Sequence, residues 1–218
     1  MFSCRGGLNI PGRRNMMIII FRSESTVSES FGRKAISHER IVEAASRDLR
    51  RAGFDGVNVA GVMKTAGLTH GGFYAHFDSR DALLAEAMVR ASENAGEAIR
   101  GQVKSFQDAG VRPFAAFVEA YLAAAHVEDC EHGCPVAALC GDMPLQAMEV
   151  VETSRDVIGN LRRLVQQFLP RDLPRDAAWS VASTLIGAVQ LARALGDSPQ
   201  ARAVIAAAKR DLIERYDR

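Results

Sequence analysis

The sequence predicts an all-α protein, and three observations support this fold class. From residue 37 onward, apolar residues recur at three- and four-residue intervals, as on the buried face of an amphipathic helix. Serine and proline stand at the start of several of these segments, where both residues favour the first helical turn. No alternating run of apolar and polar residues long enough for a β-strand occurs in the sequence.

Composition and charge exclude several classes of protein. Hydrophobic residues make up 48% of the chain and charged residues 24%, as in an ordinary globular protein. The longest apolar run near the start, Met16–Phe21, is too short to span a membrane. Four cysteines are too few for a disulfide framework, as in an intracellular protein. From the short apolar run and the cysteine count together, we expect a cytoplasmic protein without membrane contact. The net charge of +1 neither supports nor excludes a polyanionic partner, so only a local charge pattern can indicate one.

Residues 1–32 are predicted to be a disordered tail. They mix glycine, proline, serine and scattered arginines without sustained periodicity. Two interpretations remain open. The segment is either a basic arm that touches a nucleic-acid backbone or the product of a start site assigned upstream of Met16 or Met17.

The first clear helix is expected to begin at Ser37, a good N-cap, and to end at Gly53. Its predicted buried stripe consists of Ile41, Ala45, Leu49 and Ala52. Two short helices and a long one are expected next, over about 58–66, 69–77 and 79–105. Later helices are expected to begin near residues 113, 135, 144, 175 and 198.

Residues 58–77, NVAGVMKTAGLTHGGFYAHF, fit a helix-turn-helix. Gly67 lies in the three-residue turn, where a positive φ costs little only for glycine. Cations outnumber acids between Phe31 and Arg80, which is the sign needed for phosphate contact. A three-helix bundle with an ordinary solvated face remains the alternative. The apolar residues expected to hold the short helices against the first one are Val62, Ala66, Leu68, Phe73 and Phe77.

The run from Ala66 to Leu84, AGLTHGGFYAHFDSRDALL, resembles the signature of the tetracycline-repressor (TetR) family of bacterial transcription regulators. The resemblance implies about nine helices, a homodimer, a palindromic operator and release from DNA by a ligand. It also implies a helix-turn-helix DNA-binding domain over residues 33–82 and an effector-binding and dimerisation domain over 83–218. The C-terminal domain matches the family only in the number and order of its helices.

The resemblance also assigns roles in DNA binding, residue by residue. Contacts to backbone phosphates are expected from Tyr74, His76 and Arg80. Asn58 and Thr69 are expected to cap the two short helices, with polar tips near phosphates or with capping as their whole role. Base reading is expected of His70, Gly71, Gly72 and Ala75. The glycines and Met63, which stands where many family members carry a small residue, depart from the family pattern.

Three cysteines, Cys130, Cys134 and Cys140, crowd into the run CEHGCPVAALC. Cys134 precedes a proline and is expected at a helix N-cap, where backbone N–H groups lower the pKa of a thiol. This placement favours a sensor of oxidants or electrophiles, with Cys130 as resolving partner and Cys140 facing the core. The alternatives are small buried side chains and a zinc site with His126 and His132. We predict neither a metal nor a cofactor, because the spacing follows no common zinc pattern.

A small-molecule effector, apolar, aromatic or electrophilic, is the other expected partner. Phe117 and Tyr121 are the first candidates to line its pocket, although core packing is the alternative for each. Alanine-rich helices at the end of the chain predict the dimer interface. The other candidates for the pocket are Phe114, Met143, Met148, Phe168 and Trp179.

The sequence thus favours a DNA-binding regulator, more specifically a repressor, over two alternatives. One alternative is an all-α enzyme, for which Cys134 with a nearby histidine is the only hint of a nucleophile, and we predict no catalytic residue. The other is an adaptor that keeps the fold but does not bind DNA.

Overall fold

The computed structural model describes residues 16–174 and 176–217, with side chains from Gly32 onward. This part of the chain is helical and contains no β-strand, so the predicted fold class is confirmed. Two 3-10 segments, His70–Ala75 and Met143–Leu145, accompany the α-helices. The α-helices are α1 Met16–Gly56, α2 Val59–Thr65, α3 Arg80–Asp108, α4 Pro113–Tyr121, α5 Ala124–Glu128, α6 Pro135–Leu139, α7 Met148–Phe168, α8 Ala177–Leu195 and α9 Pro199–Tyr216.

The chain divides into two units, Met1–Glu39 and Arg40–Arg218. In the first unit the helix begins at Met16, not at Ser37 as predicted, and Ser37 therefore lies within α1. A serine caps a helix only where the backbone before it leaves the helical conformation, and no proline interrupts residues 16–37. The first 15 residues of the expected tail lie outside the described residues.

Most of the predicted stripe of the first helix is buried. Ile41, Ala45 and Leu49 are inaccessible to solvent, whereas Ala52 is exposed, so the prediction for Ala52 is wrong. The helix is interrupted at Gly53, which has φ 75° and ψ 179°, and the stripe therefore stops one turn earlier than expected. The positive φ explains why glycine stands at this position.

The helices of the C-terminal region form one bundle with a continuous apolar core. The long helix α3 packs most extensively on α7, and α8 packs on α9. Ser79 and Ser198 cap α3 and α9 by accepting hydrogen bonds from the N–H groups of Ala82 and Ala201. Proline stands in the first turn of α4 and α6, as expected, and also in that of α9, whereas α5 was not predicted.

Among the described helices, α8 is long and apolar enough to cross a membrane by length and composition. Its buried side, which includes Val181, Leu185 and Val189, packs against α7 and α9. A helix packed in the core of a helical bundle can have the same composition, and one side of α8 is packed in this way here.

Candidate nucleic-acid interface and cysteine loop

The helix-turn-helix begins with a capped helix and a tight turn. The Oδ1 atom of Asn58 accepts hydrogen bonds from the N–H groups of Ala60 (2.9 Å) and Gly61 (3.3 Å), so Asn58 caps α2 as predicted. Gly67 has φ +75°, the positive value expected for the turn. The N–H group of the next residue, Leu68, donates to the carbonyl oxygen of α2 residue Met63 (2.8 Å) and closes the turn.

The second element of the helix-turn-helix is the recognition segment, His70–Ala75. It is a 3-10 helix, whereas the sequence predicts a longer helix reaching Phe77. Gly71 and Gly72 have low helix propensity, which accounts for the short and irregular element. Thr69 stands at the N-cap, but its side chain makes no capping hydrogen bond, so this part of the prediction is wrong.

The buried side of the recognition segment packs on an aromatic core. Phe73 and Phe77 are 2% and 3% exposed, and their rings stack with centroids 5.5 Å apart. Val62 and Ala66 of α2 are buried in the same core, and Leu68 packs against it while remaining half-buried. All five apolar residues predicted to hold the short helices against the first helix lie in or against one core with Ile41, Ala45 and Leu49 of α1.

The outer face of the recognition segment is open to solvent. Tyr74 is 75% exposed and makes an edge-to-face contact with Phe73, with ring centroids 5.2 Å apart. This contact positions a large polar aromatic side chain on the surface. Among the residues predicted to contact DNA, Gly72, His76 and Arg80 are half-buried. The exposed ones are Asn58, Thr69, His70, Gly71, Tyr74 and Ala75.

Gly71 and Gly72 leave the start of the recognition segment without side chains. A Cβ atom at Gly71 would meet no atom within 4 Å, and one at Gly72 would lie 3.6 Å from Cε of Met63, an ordinary contact. Met63 is fully buried and fills the space beneath Gly72, which is the packing difference expected at this position. The protein's own packing therefore does not require either glycine.

Arg80 fastens the start of α3 to the end of α1. Its guanidinium group donates to the carbonyl oxygens of Phe54 and Val57, the latter at 3.3 Å. These bonds satisfy carbonyl groups next to the interruption of α1. They hold α3 to the helix-turn-helix head, by which we mean residues 40–79: the end of α1, α2 and the recognition segment. Sequence reasoning missed this structural role, and the phosphate contact of Arg80 stays a prediction.

The cysteine loop, residues 129–134, has properties that differ from the predicted ones. Cys134 stands at the N-cap of α6, as expected, but it is 4% exposed and makes no side-chain capping hydrogen bond. Burial raises the pKa of the Cys134 thiol. This effect is larger than the lowering of the pKa by the backbone N–H groups of Val136 and Ala137. The predicted lowered pKa is therefore wrong, because desolvation disfavours the thiolate.

His126 supports the loop from inside the bundle. Its Nδ1 atom donates to the carbonyl oxygen of Tyr121, and its Nε2 atom accepts from the N–H group of Cys134 at 3.0 Å. This arrangement fixes the neutral tautomer with the proton on Nδ1. Burial lowers the pKa of His126. Sequence reasoning considered this residue only as a metal ligand.

Arginines from distant helices hold the backbone on both sides of the loop. On one side, Arg193 of α8 donates to the carbonyl oxygens of Val127 (2.9 Å) and His126 (3.2 Å). On the other side, Arg50 of α1 donates to the carbonyl oxygens of Gly133 (3.5 Å) and Ala91 (3.4 Å). The sequence gives no sign of these contacts, since their partners are far apart along the chain.

Arg50 is a buried cation at this junction. It is 3% exposed, burial lowers its pKa, and its Nη2 atom is buried without a hydrogen-bond partner. A second link is exposed: the Nε atom of Arg51 lies 3.3 Å from a carboxylate oxygen of Glu131. Through these two residues the helix-turn-helix head contacts the cysteine loop directly.

Three of the predicted effector residues, Phe117, Tyr121 and Cys140, lie in or against the core. Phe117 and Tyr121 are fully buried in the core, and neither lines the two surface cavities of the bundle, so their role in an effector pocket stays a prediction. Their helix α4 is buried on nearly every side. Cys140 is half-buried, packs against the core as predicted and accepts a hydrogen bond from Gln190 at 3.3 Å. Among the described residues, no three His, Cys, Asp or Glu side chains lie close enough to hold a metal.

Two cavities open on the surface of the C-terminal bundle. One, of about 310 Å³, lies between α3, the start of α6 and α7. The other, of about 570 Å³, is formed by α5 and the adjoining ends of α8 and α9, and the half-buried thiol of Cys130 lines it.

Comparisons with known proteins agree with this architecture. Residues 41–87 match the family model "Bacterial regulatory proteins, tetR family". A TetR-family regulator from Agrobacterium tumefaciens is 19% identical with a TM-score of 0.64, covering 84% of this chain and 98% of that chain. Reduced NemR from E. coli is 14% identical with a TM-score of 0.67, covering 83% and 96%. A TetR regulator from Chloroflexus aurantiacus is 22% identical with a TM-score of 0.64, covering 84% and 96%. No curated relative matches the sequence.

Proposed function

We propose that this chain, a member of the tetR family of bacterial regulatory proteins, is a transcription repressor controlled by a small-molecule effector. It binds a palindromic DNA operator as a homodimer and leaves it when the effector binds. The observation that carries the proposal is the recognition segment, which presents exposed polar residues above a buried aromatic core. The proposal includes no catalytic role.

The recognition segment is suited to enter a major groove. Its core residues Phe73 and Phe77 fix its orientation, and the exposed Tyr74 hydroxyl is free of the core and available to a phosphate oxygen. Gly71 adds no side chain, so the backbone can approach the DNA closely. His70 then supplies the polar side chain best placed to read a base edge, together with sequence-dependent DNA shape.

Dimerisation through α8 and α9 would present two recognition segments to one operator. Apolar side chains remain exposed on α8, namely Trp179, Leu191 and Leu195. Alanines exposed on α9 at positions 203, 206 and 207 allow close approach of a second helix pair. Two half-sites about 34–36 Å apart, one turn of DNA, would match such a dimer.

Effector control requires a connection between the C-terminal bundle and the head. The cysteine loop supplies one, because Arg50 and Arg51 of α1 contact it at Gly133 and Glu131. A ligand that displaces this loop would change the position of α1. By linkage, DNA and effector then weaken each other's binding, typically by about 1–3 kcal/mol. Among the cysteines of the loop, the accessible Cys130 is the one suited to an electrophilic effector.

Selection of bound duplexes from a random pool tests the DNA-binding proposal directly. We expect enrichment of an inverted repeat whose half-sites are centred about 10–10.5 base pairs apart. The affinity for the selected duplex should fall steeply as salt rises, because phosphate contacts release counterions. A pool that remains random after repeated rounds would overturn the proposal.

The dimer interface is tested by placing a charge on the exposed face of α8. Leu191→Glu is expected to convert the dimer to a monomer in analytical ultracentrifugation, because an unpaired carboxylate would be buried in the interface. Leu145→Glu is the matched control, since Leu145 is exposed but lies outside α8 and α9. A Leu191→Glu variant that remains dimeric would exclude this face.

A further inference from the structure

The cleft between α3, α6 and α7 has a buried apolar floor. Ile99 of α3, Val136 of α6 and Leu161 of α7 are each no more than 6% exposed, and all three line the cleft. Its volume, about 310 Å³, lies at the lower end of the range found for small-molecule sites. The floor therefore fits the apolar body of a small ligand.

Two arginines without acidic partners stand at the rim of this cleft. Arg100 projects from α3 and Arg163 from α7, so cations face the cleft from both of its long walls. Neither makes an ion pair with a residue that the structure describes. The Arg163 guanidinium donates to the neutral side chain of Asn160. The acid of the lining, Glu93, lies 3.7 Å from Arg90, which also lies 3.9 Å from Glu43 and therefore offsets only part of the negative charge.

We propose that this cleft binds an organic anion, a carboxylate with a small apolar body, which Arg100 and Arg163 recognise from opposite walls. Guanidinium groups form strong, directional hydrogen bonds to carboxylates. The apolar floor adds selectivity for an organic anion over an inorganic one. This inference rests on the proposed effector control and names the chemistry of its ligand.

The position of the cleft explains how a ligand bound there would affect the DNA-binding head. Cys134 and Pro135 line the cleft, and the preceding residue, Gly133, is hydrogen-bonded to Arg50 of α1. The opposite wall is α3, whose first residue, Arg80, holds the end of α1. A ligand between the walls therefore touches both elements that position the head.

The test uses three probes that share one apolar body and differ in charge: 2-naphthoate, 2-naphthylmethanol and 2-naphthylmethylammonium. Binding to the full chain is measured by titration calorimetry and by the fluorescence of the naphthyl group. We expect naphthoate to bind about tenfold more tightly than the alcohol, as for a charge-assisted contact, and the ammonium to bind most weakly. Inorganic phosphate, which carries charge without an apolar body, is expected to bind more weakly than naphthoate.

Variants identify the residues that recognise the charge. The double variant Arg100→Gln with Arg163→Gln should lose the preference for naphthoate over the alcohol. Arg155→Gln should retain it, because Arg155 is exposed on α7 but does not line the cleft. Equal affinity for the three probes, no naphthoate binding at millimolar concentration, phosphate binding as tight as naphthoate, or an unchanged double variant would each overturn the proposal.

The selected duplex separates failure of this inference from failure of the proposed function. A chain that binds the duplex but not naphthoate lacks the cleft site and keeps its DNA-binding role. A chain that binds naphthoate through the two arginines but binds no duplex keeps the site and lacks the DNA-binding role. Naphthoate that weakens duplex binding in the wild type, and not in the double variant, would support both.

Discussion

The recognition segment and the cysteine loop differ in the contacts that determine their properties. The recognition segment packs on neighbours close in sequence: Met63 lies beneath Gly72, and Phe77 stacks on Phe73. The cysteine loop is held by Arg50 and Arg193, from helices far away along the chain. Local contacts leave the functional face of the first region exposed, whereas long-range contacts bury and constrain the second. A local motif can therefore predict the first region and not the second.

Removing the aromatic core beneath the recognition segment should have the largest effect. Phe73→Ala is expected to lower the free energy of unfolding by about 3–5 kcal/mol, because it empties a fully packed site and removes the stacking on Phe77. Denaturant unfolding measures the change. Tyr74→Ala is the control and should stay within about 0.5 kcal/mol of the wild type. Equal effects of the two substitutions would contradict the assigned packing.

The second-largest effect is expected in the cysteine loop. A Cβ atom at Gly133 would lie 2.6 Å from Nη2 of Arg193 and 3.0 Å from the carbonyl oxygen of Asp129. Gly133→Ala should therefore destabilise the protein by about 1–3 kcal/mol in the same measurement. Gly141→Ala should have little effect, since its Cβ would meet no atom within 4 Å. A neutral Gly133→Ala variant would show that the long-range contacts do not constrain the loop.

Thiol reactivity distinguishes the two cysteines of the loop. Cys134 should react with iodoacetamide about tenfold or more slowly than Cys130, because burial both blocks access and raises the pKa of the Cys134 thiol. Peptide mass spectrometry of the native protein follows each site separately. After unfolding, the two rates should become similar. Faster reaction at Cys134 in the native protein would restore the original prediction of an activated thiol.

The smallest expected effect is the pH dependence contributed by His126. Burial lowers its pKa in the folded state, so between neutral and mildly acidic pH the unfolded chain binds more protons at this residue. Stability should therefore fall as pH drops from 7.5 to about 5.5, as protonation also places a proton on the Nε2 atom that accepts from Cys134. His126→Gln should flatten this dependence, and His70→Gln, at an exposed position, should not. Identical profiles of His126→Gln and wild type would contradict the buried neutral tautomer.

The fold and the head of the molecule were largely predictable from sequence. Capping serines, first-turn prolines and Gly67 act within a few residues, and the structure has Ser79, Pro113 and Gly67 where the sequence predicts a helix start or a turn. The apolar spacing likewise identified Phe73 and Phe77 as core residues. Boundaries were less predictable, because continuous helical backbone overrides the preference of Ser37 for an N-cap.

The environment of the effector region was not predictable from sequence. A cysteine before proline favours a helix N-cap, but how far its thiol is buried depends on helices that fold against it from elsewhere in the chain. The burial of Phe117 and Tyr121 depends on distant helices in the same way. Both are packed in the core around α4, and neither lines a cavity described here. Arg100 and Arg163 carry no sequence signal, since only the packing of α3 on α7 brings them to one cleft.

The affinity of Tyr74→Ala for the selected duplex tests the central claim most directly. Tyr74 is exposed and does not support the core, so loss of its hydroxyl and ring should affect DNA contact alone. We predict at least about tenfold weaker binding at fixed salt, as for a lost hydrogen bond to a charged phosphate, with unfolding stability unchanged. Leu145→Ala, the control at another exposed residue, should bind like the wild type. Wild-type affinity of Tyr74→Ala would contradict the account.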